Sequence, residues 1–327
     1  MPSRKSLEEK LAALGAIEEA PLDAGARDGL CKALHAANHT LIAKAARVAA
    51  TCDLRDLSPE MAAAFDRMMA KSAKADKGCL AKTALAESLD TLEYDDPGPF
   101  LAGVRHVQME PAFGDPVDTA AHLRGRCAAA LARLGHPDTL FALTYLLCDG
   151  EPAARRAAVG ILAQIGGREC ELLLRLKVLG GDKEPEVVCA CLSGLATIAP
   201  EHSMDFIAWF LGHPDPVISE GAALALGEAR GTRALGLLTD SWEGSIDPEL
   251  KKMLLLPIAL TRCDAAFGFL IRVVEEEHRE TASAAVEALR LYGDDANRVR
   301  RIRDAAEQRA DKTVERACAA VFGSENE

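Results

Sequence analysis

The chain has 327 residues, of which 49% are apolar and only 4% aromatic, and its 38 basic and 50 acidic residues give a net charge of −12. A core of small aliphatic side chains favours helix packing over a sandwich or barrel, whose strands are rich in β-branched and aromatic residues. The acidic balance argues against general phosphate binding, and no apolar run is long enough to cross a membrane. We therefore expect an all-α protein.

The N-terminal residues and the cysteines indicate the compartment. Charged residues return within the first ten positions, before an apolar segment can form, so no secretory signal is expected. Ten cysteines stand mostly in Ala- and Leu-rich helical segments, as small buried thiols do in reducing compartments. Cys189 and Cys191 would point about 200° apart on a helix, so they cannot form a metal site by themselves. We predict a cytoplasmic location with no metal and no cofactor.

Residues 1–93 contain an irregular form of an internal repeat. A Leu-Ala-x-apolar-Gly/Ala pattern, or a weaker version of it, begins at Leu11, Val48 and Leu89, at steps of 37 and 41 residues. Such long steps predict helix pairs joined by long connections. We predict that this first segment is the less regular end of a repeat array.

Residues 94–117 interrupt the repeat spacing and are predicted to form an inserted loop. The stretch from 93 to 118 holds four prolines, three glycines and three of the fourteen aromatic residues. Long loops in repeat proteins often carry binding groups. The alternative is a solvated connector whose aromatic side chains fill a gap between repeats. The candidate protein-binding residues in this loop are Tyr94, Phe100, Arg105, His106, Gln108, Glu110 and Phe113. A metal site formed by His106, Glu110, Asp118 and His122 would match no established zinc spacing.

Residues 118–327 repeat regularly and are predicted to form one continuous solenoid. The repeat pattern begins at positions 131, 162, 195, 226, 259 and 289. An acidic residue before proline opens a helix, because proline at the first helical position loses no hydrogen bond and the carboxylate can cap the helix. Four repeats carry this signal, at Glu151-Pro152, Glu184-Pro185, Asp215-Pro216 and Asp247-Pro248. About 31 residues accommodate two helices and two turns, and neighbouring helix pairs must stack to bury their apolar faces.

These repeats resemble the HEAT family, in particular the short bacterial HEAT-like repeats of phycobilisome-lyase type, with the pattern acidic-Pro-x-Val-Arg-x-x-Ala-Ala-x-Ala-Leu-Gly. Residues 151–162 match it with Arg155 at the arginine position, whereas residues 215–227 have Ser219 there. The resemblance implies a right-handed α-solenoid of about nine stacked antiparallel helix pairs, with the acidic-Pro helices on the concave side. It implies no chemistry, because scaffolds and enzymes share the repeat.

Two further features concern binding surfaces. The acidic-Pro helices of the central repeats carry few charges, which suggests a groove for a partner's helix or extended peptide; the alternative is tight Ala/Gly/Cys packing. Trp242 lies at a predicted helix end before Gly244, and we expect it to be an exposed protein-binding anchor. Trp209 lies among apolar residues at helical spacing and is expected in the core.

The sequence contains none of the common catalytic motifs, such as a phosphate-binding loop or a nucleophile elbow. We therefore predict a bacterial, non-enzymatic scaffold or adaptor that binds a protein or peptide partner through the concave surface and the 94–117 loop. Binding to a membrane or to nucleic acid is not expected. The resemblance leaves open a bilin-lyase-like enzyme or chromophore chaperone as the alternative. A HEAT-like protein that acts on nucleic acid is a third hypothesis.

Overall fold

The computed structural model describes residues 4–17 and 24–323, most of which are helical. The chain divides into two compact units, Met1–Ile161 and Leu162–Glu327, and helix α9 (Pro152–Ile165) contains the boundary. Unit 1 contains the helices α1 Arg4–Ala16, α2 Ala24–Leu34, α3 His39–Thr51, α4 Ser58–Met69, α5 Leu80–Thr91, α6 Gly98–Gly103, α7 Ala121–Arg133 and α8 Thr139–Leu147 and the strands β1 Met109–Glu110 and β2 Val117–Asp118. Unit 2 contains α10 Gly167–Gly180, α11 Pro185–Ile198, α12 Pro200–Ala208, α13 Pro216–Ala229, α14 Gly231–Gly244, α15 Pro248–Leu260, α16 Asp264–Glu276, α17 Arg279–Leu289, α18 Ala296–Gln308 and α19 Lys312–Phe322.

The predicted helix starts are confirmed. Helices α9, α11, α13 and α15 each begin at the proline of an acidic-Pro pair. The carboxylate of Asp215 accepts a hydrogen bond of 2.9 Å from the N–H of Val217, and that of Asp247 accepts one of 3.0 Å from the N–H of Glu249. These bonds satisfy N–H groups that have no partner within the first helical turn.

In each unit, helices alternate between two rows, and neighbours within a row pack together. In unit 2 the first helices of the pairs (α11, α13, α15, α17 and α19) form one row, and they begin at residues 185, 216, 248, 279 and 312, that is, every 31–33 residues. In unit 1 the corresponding row is α1, α3, α5 and α7. The predicted all-α solenoid of stacked helix pairs is confirmed. The predicted division at residues 93/94 and 117/118 stays a prediction.

The first helices of unit 2 approach one another very closely. A Cβ atom added to Gly221 of α13 would lie 2.3 Å from the Sγ atom of Cys189 on α11. A Cβ atom at Gly227 would lie 2.5 Å from the carbonyl oxygen of Pro257 on α15. Of the two interpretations of these weakly charged helices, tight packing of small residues therefore describes α11 and α13.

The predictions for the two tryptophans are wrong: Trp242, predicted to be exposed, is buried, and Trp209, predicted to lie in the core, is exposed. Trp242 is only 7% exposed; its ring packs edge-on against Phe269 at 5.1 Å between centroids, and the Nζ atom of Lys251 lies 4.0 Å from the ring centre. Trp209 is 72% exposed. The residues of α12 and the following turn that face the core are Ser203, Met204, Ile207, Phe210 and Leu211. Trp209 falls outside this helical spacing, so its side chain points to solvent.

Replacing Gly221 by alanine tests the close packing of α11 and α13. We expect Gly221→Ala to lower the free energy of unfolding by about 1–3 kcal/mol, because the added methyl group overlaps Cys189. Chemical denaturation of the purified chain measures the change.

The matched control is Gly236→Ala on α14, where an added Cβ meets no atom within 4 Å. We expect the control to raise the free energy of unfolding by about 0.4–1 kcal/mol, because alanine reduces the conformational entropy of the unfolded chain. Equal stability of the two variants would contradict the close approach.

Candidate protein-binding groove

The segment that interrupts the repeats folds into a short helix and a hairpin. Helix α6 packs against α4 and α7, and β1 then pairs antiparallel with β2, so that Met109 lies opposite Asp118. The N–H of Thr119 donates a hydrogen bond of 2.9 Å to the carbonyl oxygen of Gln108. Asp118 holds the base of the hairpin, because its Oδ1 atom accepts hydrogen bonds from the N–H groups of Gln108 (2.9 Å) and Ala120 (3.0 Å).

A buried arginine connects this hairpin to the neighbouring helices. Arg124 of α7 is only 4% exposed, and its guanidinium forms a bidentate pair with Asp149, with both N–O distances 2.7 Å. Its Nη1 atom also donates to Asp118 Oδ2 at 2.6 Å and to the carbonyl oxygen of His106 at 2.9 Å. Asp149 lies just after α8 and also accepts a hydrogen bond of 2.9 Å from the N–H of Glu151. We call Arg124, Asp118 and Asp149 the Arg124 cluster.

The charges of the Arg124 cluster support one another. Burial by itself would lower the pKa of Arg124, but the hydrogen bonds and charges of Asp149 and Asp118 raise it above its ordinary value. Burial would raise the pKa of Asp118, but the two backbone N–H groups and Arg124 lower it below its ordinary value. Arg124 and Asp118 are therefore ionised at neutral pH, and each buried charge has the hydrogen-bonded partners that it requires.

The opposite side of the hairpin is tied to the segment before α5. Lys82 is fully buried; its ammonium donates to the side-chain oxygen of Gln108 and lies 3.7 Å from the carboxylate of Asp76. The side-chain amide of Gln108 donates to the Asp76 carbonyl oxygen at 2.6 Å and to Glu110 at 2.8 Å. Glu110 also accepts hydrogen bonds from Gly78 N–H and Thr119 O–H. Burial would raise the pKa of Glu110, but these three hydrogen bonds lower it.

A groove of about 530 Å³ lies between the hairpin and α8. Its apolar walls include Val107, Met109 and Tyr145, all of which are more than half exposed. Arg105 lies at the edge, with its guanidinium 5.2 Å from the ring centre of Tyr145. The residues that line the groove are Val104, Arg105, Val107, Met109, Asp118, Arg124, Tyr145, Leu146, Asp149, Gly150 and Glu151. The groove thus combines an apolar surface with an acidic end at residues 149–151.

Among the predicted site residues, Arg105 and Phe113 are exposed, whereas Tyr94, His106 and Glu110 are half-buried. Only Arg105 lines the groove. The predictions that Phe100 and Gln108 contact a partner directly are corrected by their burial, as is that for Trp242. Phe100 packs α6 into the core. The side-chain amide of Gln108 forms hydrogen bonds with Lys82, Asp76 and Glu110.

The groove residues that sequence reasoning missed lie partly outside the predicted loop. The helical spacing of the sequence could have identified Tyr145. The buried residues of α8 include Ala142, Leu143, Leu146 and Leu147, and Tyr145 falls on the opposite side of the helix. Asp149 lies two residues before Glu151, where the predicted helix start begins. Its pairing with Arg124 joins positions 25 residues apart, which no local pattern indicates.

Within residues 4–17 and 24–323, no group of three or more His, Cys, Asp or Glu side chains could hold a metal ion. Of the four residues considered as ligands, Asp118 is bound by Arg124 and Glu110 by three hydrogen-bond donors. No helix in the described part of the chain is long and apolar enough to cross a membrane.

Comparisons with known proteins find likenesses in fold. No family model and no curated protein matches the chain. The structure is similar to that of the CpcE–CpcF complex of phycocyanin lyase from Nostoc sp. PCC 7120 (18% identity, TM-score 0.37, 70% of this chain and 89% of that one). It is also similar to that of an engineered protein (17% identity, TM-score 0.38, 99% of this chain and 97% of that one). A further similar structure is human deoxyhypusine hydroxylase in complex with glycerol (16% identity, TM-score 0.31, 81% of this chain and 96% of that one). The stacked helix pairs of each unit have the α-solenoid arrangement that the resemblance to HEAT-like repeats implies.

Replacing Arg124 tests the buried cluster. Arg124→Met keeps much of the apolar volume but leaves Asp118 and Asp149 without a cationic partner. We expect a loss of about 3–5 kcal/mol in the free energy of unfolding of unit 1, measured by chemical denaturation. The control is Arg126→Ala, which removes an exposed pair with Glu87 and is expected to cost at most about 1 kcal/mol. Similar effects of the two substitutions would contradict the account.

His106 makes the free energy of unfolding depend on pH. Burial and the charge of Lys82 lower its pKa below 6.5, and its Nε2 atom is buried without a hydrogen-bond partner. Below pH 6.5 the unfolded chain binds a proton at His106 more readily than the folded chain does, so stability falls as the pH falls. We expect His106→Gln to flatten this slope between about pH 7 and the lowered folded-state pKa, measured by chemical denaturation.

The matched control is His122→Gln, at an exposed position on α7. We expect this variant to retain the pH slope of the unmodified chain. A slope unaffected by His106→Gln would show that the buried ring does not resist protonation.

Proposed function

We propose that this chain is a non-enzymatic protein-binding α-solenoid protein whose groove in unit 1 binds an extended segment of a partner protein. The observation that carries the proposal is the exposure of Val107, Met109 and Tyr145 along one cavity. Large apolar side chains grouped on a folded surface are typical of protein-binding sites. The Arg124 cluster fixes the hairpin and so gives the groove a defined wall before a partner arrives, which reduces the entropic cost of binding.

The extended form of the partner follows from the hairpin register. The N–H of Thr119 donates to the carbonyl oxygen of Gln108, which lies opposite it, so the next pair, Met109 and Asp118, is of the non-hydrogen-bonded type. In that type of pair the backbone N–H and C=O of Met109 point away from β2. A peptide in the groove can pair with this edge as an added strand, while its alternate side chains contact the apolar wall.

The charge of the groove selects among such peptides. Its acidic end contains Asp149, which Arg124 already neutralises, and Glu151, which is half-buried. A lysine or arginine that follows the apolar residues of the peptide would meet Glu151 in a partly desolvated position. The net charge of −12 favours the approach of basic segments over acidic ones.

The same charges favour binding over catalysis. Arg124, Asp118 and Asp149 hold one another in ion pairs, and Glu110 is occupied by three donors. Side chains bound in this way stabilise the wall of the groove rather than act on a substrate. We also propose that the protein binds its partner in the cytoplasm of a bacterium, as expected from the sequence.

Selection from a random peptide library displayed on phage tests the proposal. We expect the purified chain to select peptides with alternating apolar residues next to lysine or arginine. Fluorescence anisotropy should then show at least tenfold weaker binding of a selected peptide to Tyr145→Ala and to Met109→Ser, because each substitution removes an exposed wall of the groove. Glu151→Gln should weaken only the peptides that contain the basic residue.

The matched control is Ile246→Ser, which removes another exposed apolar side chain, in unit 2. It should leave the affinity unchanged. Failure to select any peptide, or selected peptides that bind Tyr145→Ala as well as the unmodified chain, would overturn the proposal.

A further inference from the structure

Helix α10 of unit 2 has two apolar faces. One face packs into the unit through Cys170, Leu174 and Val178. The other face carries Leu172, Leu176 and Leu179, which are between 58% and 68% exposed. The second helix of a stacked pair requires only the first face, so the stack itself does not explain the three exposed leucines.

The exposed surface that begins at these leucines extends toward α12 of the same unit. Arg175 bridges the two helices: its guanidinium donates to the carbonyl oxygen of His202 at 2.7 Å and lies 4.7 Å from the ring centre of Phe206. Leu172 also lines a cavity together with Pro200 and His202. One turn beyond Phe206, Trp209 extends into solvent. We call Leu172, Leu176, Leu179 and Trp209 the α10 patch.

The spacing of the leucines is that of a helix–helix seam. Intervals of four and three residues place Leu172, Leu176 and Leu179 at successive d, a and d positions of a heptad. Leu176 lies at the middle of this stripe. If two α10 helices pack antiparallel about a two-fold axis at Leu176, Leu176 meets its own copy, and Leu172 lies within one residue of the level of Leu179 of the other chain. The stripe is therefore complementary to itself.

We propose that the α10 patch is a two-fold interface between two copies of this chain. The exposed area of its four large side chains is roughly 500 Å² per copy. A dimer that covers them completely therefore buries about 1,000 Å² from these residues, the lower limit expected of a biological interface. A symmetric dimer uses the same patch twice and covers both stripes at once. The proposal concerns unit 2 alone and does not depend on the groove in unit 1.

Sedimentation velocity of the full chain over about 1–100 μM tests the proposal. The unmodified chain should show a concentration-dependent shift toward twice the monomer mass. Leu176→Glu places two carboxylates face to face at the two-fold axis and should weaken association at least 100-fold. Leu256→Glu, at a half-exposed leucine of α15, is the matched control and should associate like the unmodified chain.

Charge reversal separates direct contact from misfolding. Leu176→Lys should also be monomeric, and an equimolar mixture of Leu176→Glu and Leu176→Lys should recover dimers, because opposite charges then meet at the axis. Circular dichroism confirms that each variant is folded. A chain that stays monomeric to 100 μM, or a dimer that Leu176→Glu leaves intact, would overturn the proposal; so would folded charge variants that do not associate when mixed.

Discussion

The ion pairs of the buried Arg124 side chain are the interaction on which the structure of unit 1 around the groove depends. A guanidinium at 4% exposure is stable only if its donors are matched by acceptors, and Asp149, Asp118 and the His106 carbonyl supply them. These acceptors come from the end of α8, from β2 and from the segment before β1. The requirement to satisfy one charge therefore fixes the positions of three chain segments, and the groove lies where they meet.

The two rows of helices differ in how they place small and large apolar side chains. The first helices of unit 2 use alanine, glycine and cysteine to approach one another closely, as at Gly221 and Cys189. Two of the second helices, α8 and α10, pack by one face and carry large apolar side chains on the other. Four of the fourteen aromatic residues are exposed. These four are Phe113, Phe141, Tyr145 and Trp209. The low aromatic content noted in the sequence is thus compatible with apolar surfaces for binding.

The helix positions could be predicted because their causes are local. An acidic residue before proline specifies a helix start within a few residues, and the repeat period then places the other helices. The exposure of Trp209 could also have been predicted from the sequence. The helical spacing of Met204, Ile207 and Phe210 defines the buried face, and Trp209 lies outside it. The Arg124–Asp149 pair could not be predicted, because it depends on how α7 and the end of α8 approach each other. The loop was recognised by its composition, but its fold depends on contacts with residues as distant as Asp76 and Lys82.

Arg124 holds the hairpin in the position that forms the groove. Native-state hydrogen exchange in the unmodified chain and in Arg124→Lys tests this most directly, because lysine keeps the charge but cannot reproduce the forked hydrogen bonds. In Arg124→Lys we expect faster exchange at the amides of Gln108, Thr119 and Ala120, with the amides of α3 and α5 unchanged. Equal exchange at these three amides in both proteins, or uniform acceleration across unit 1, would contradict it.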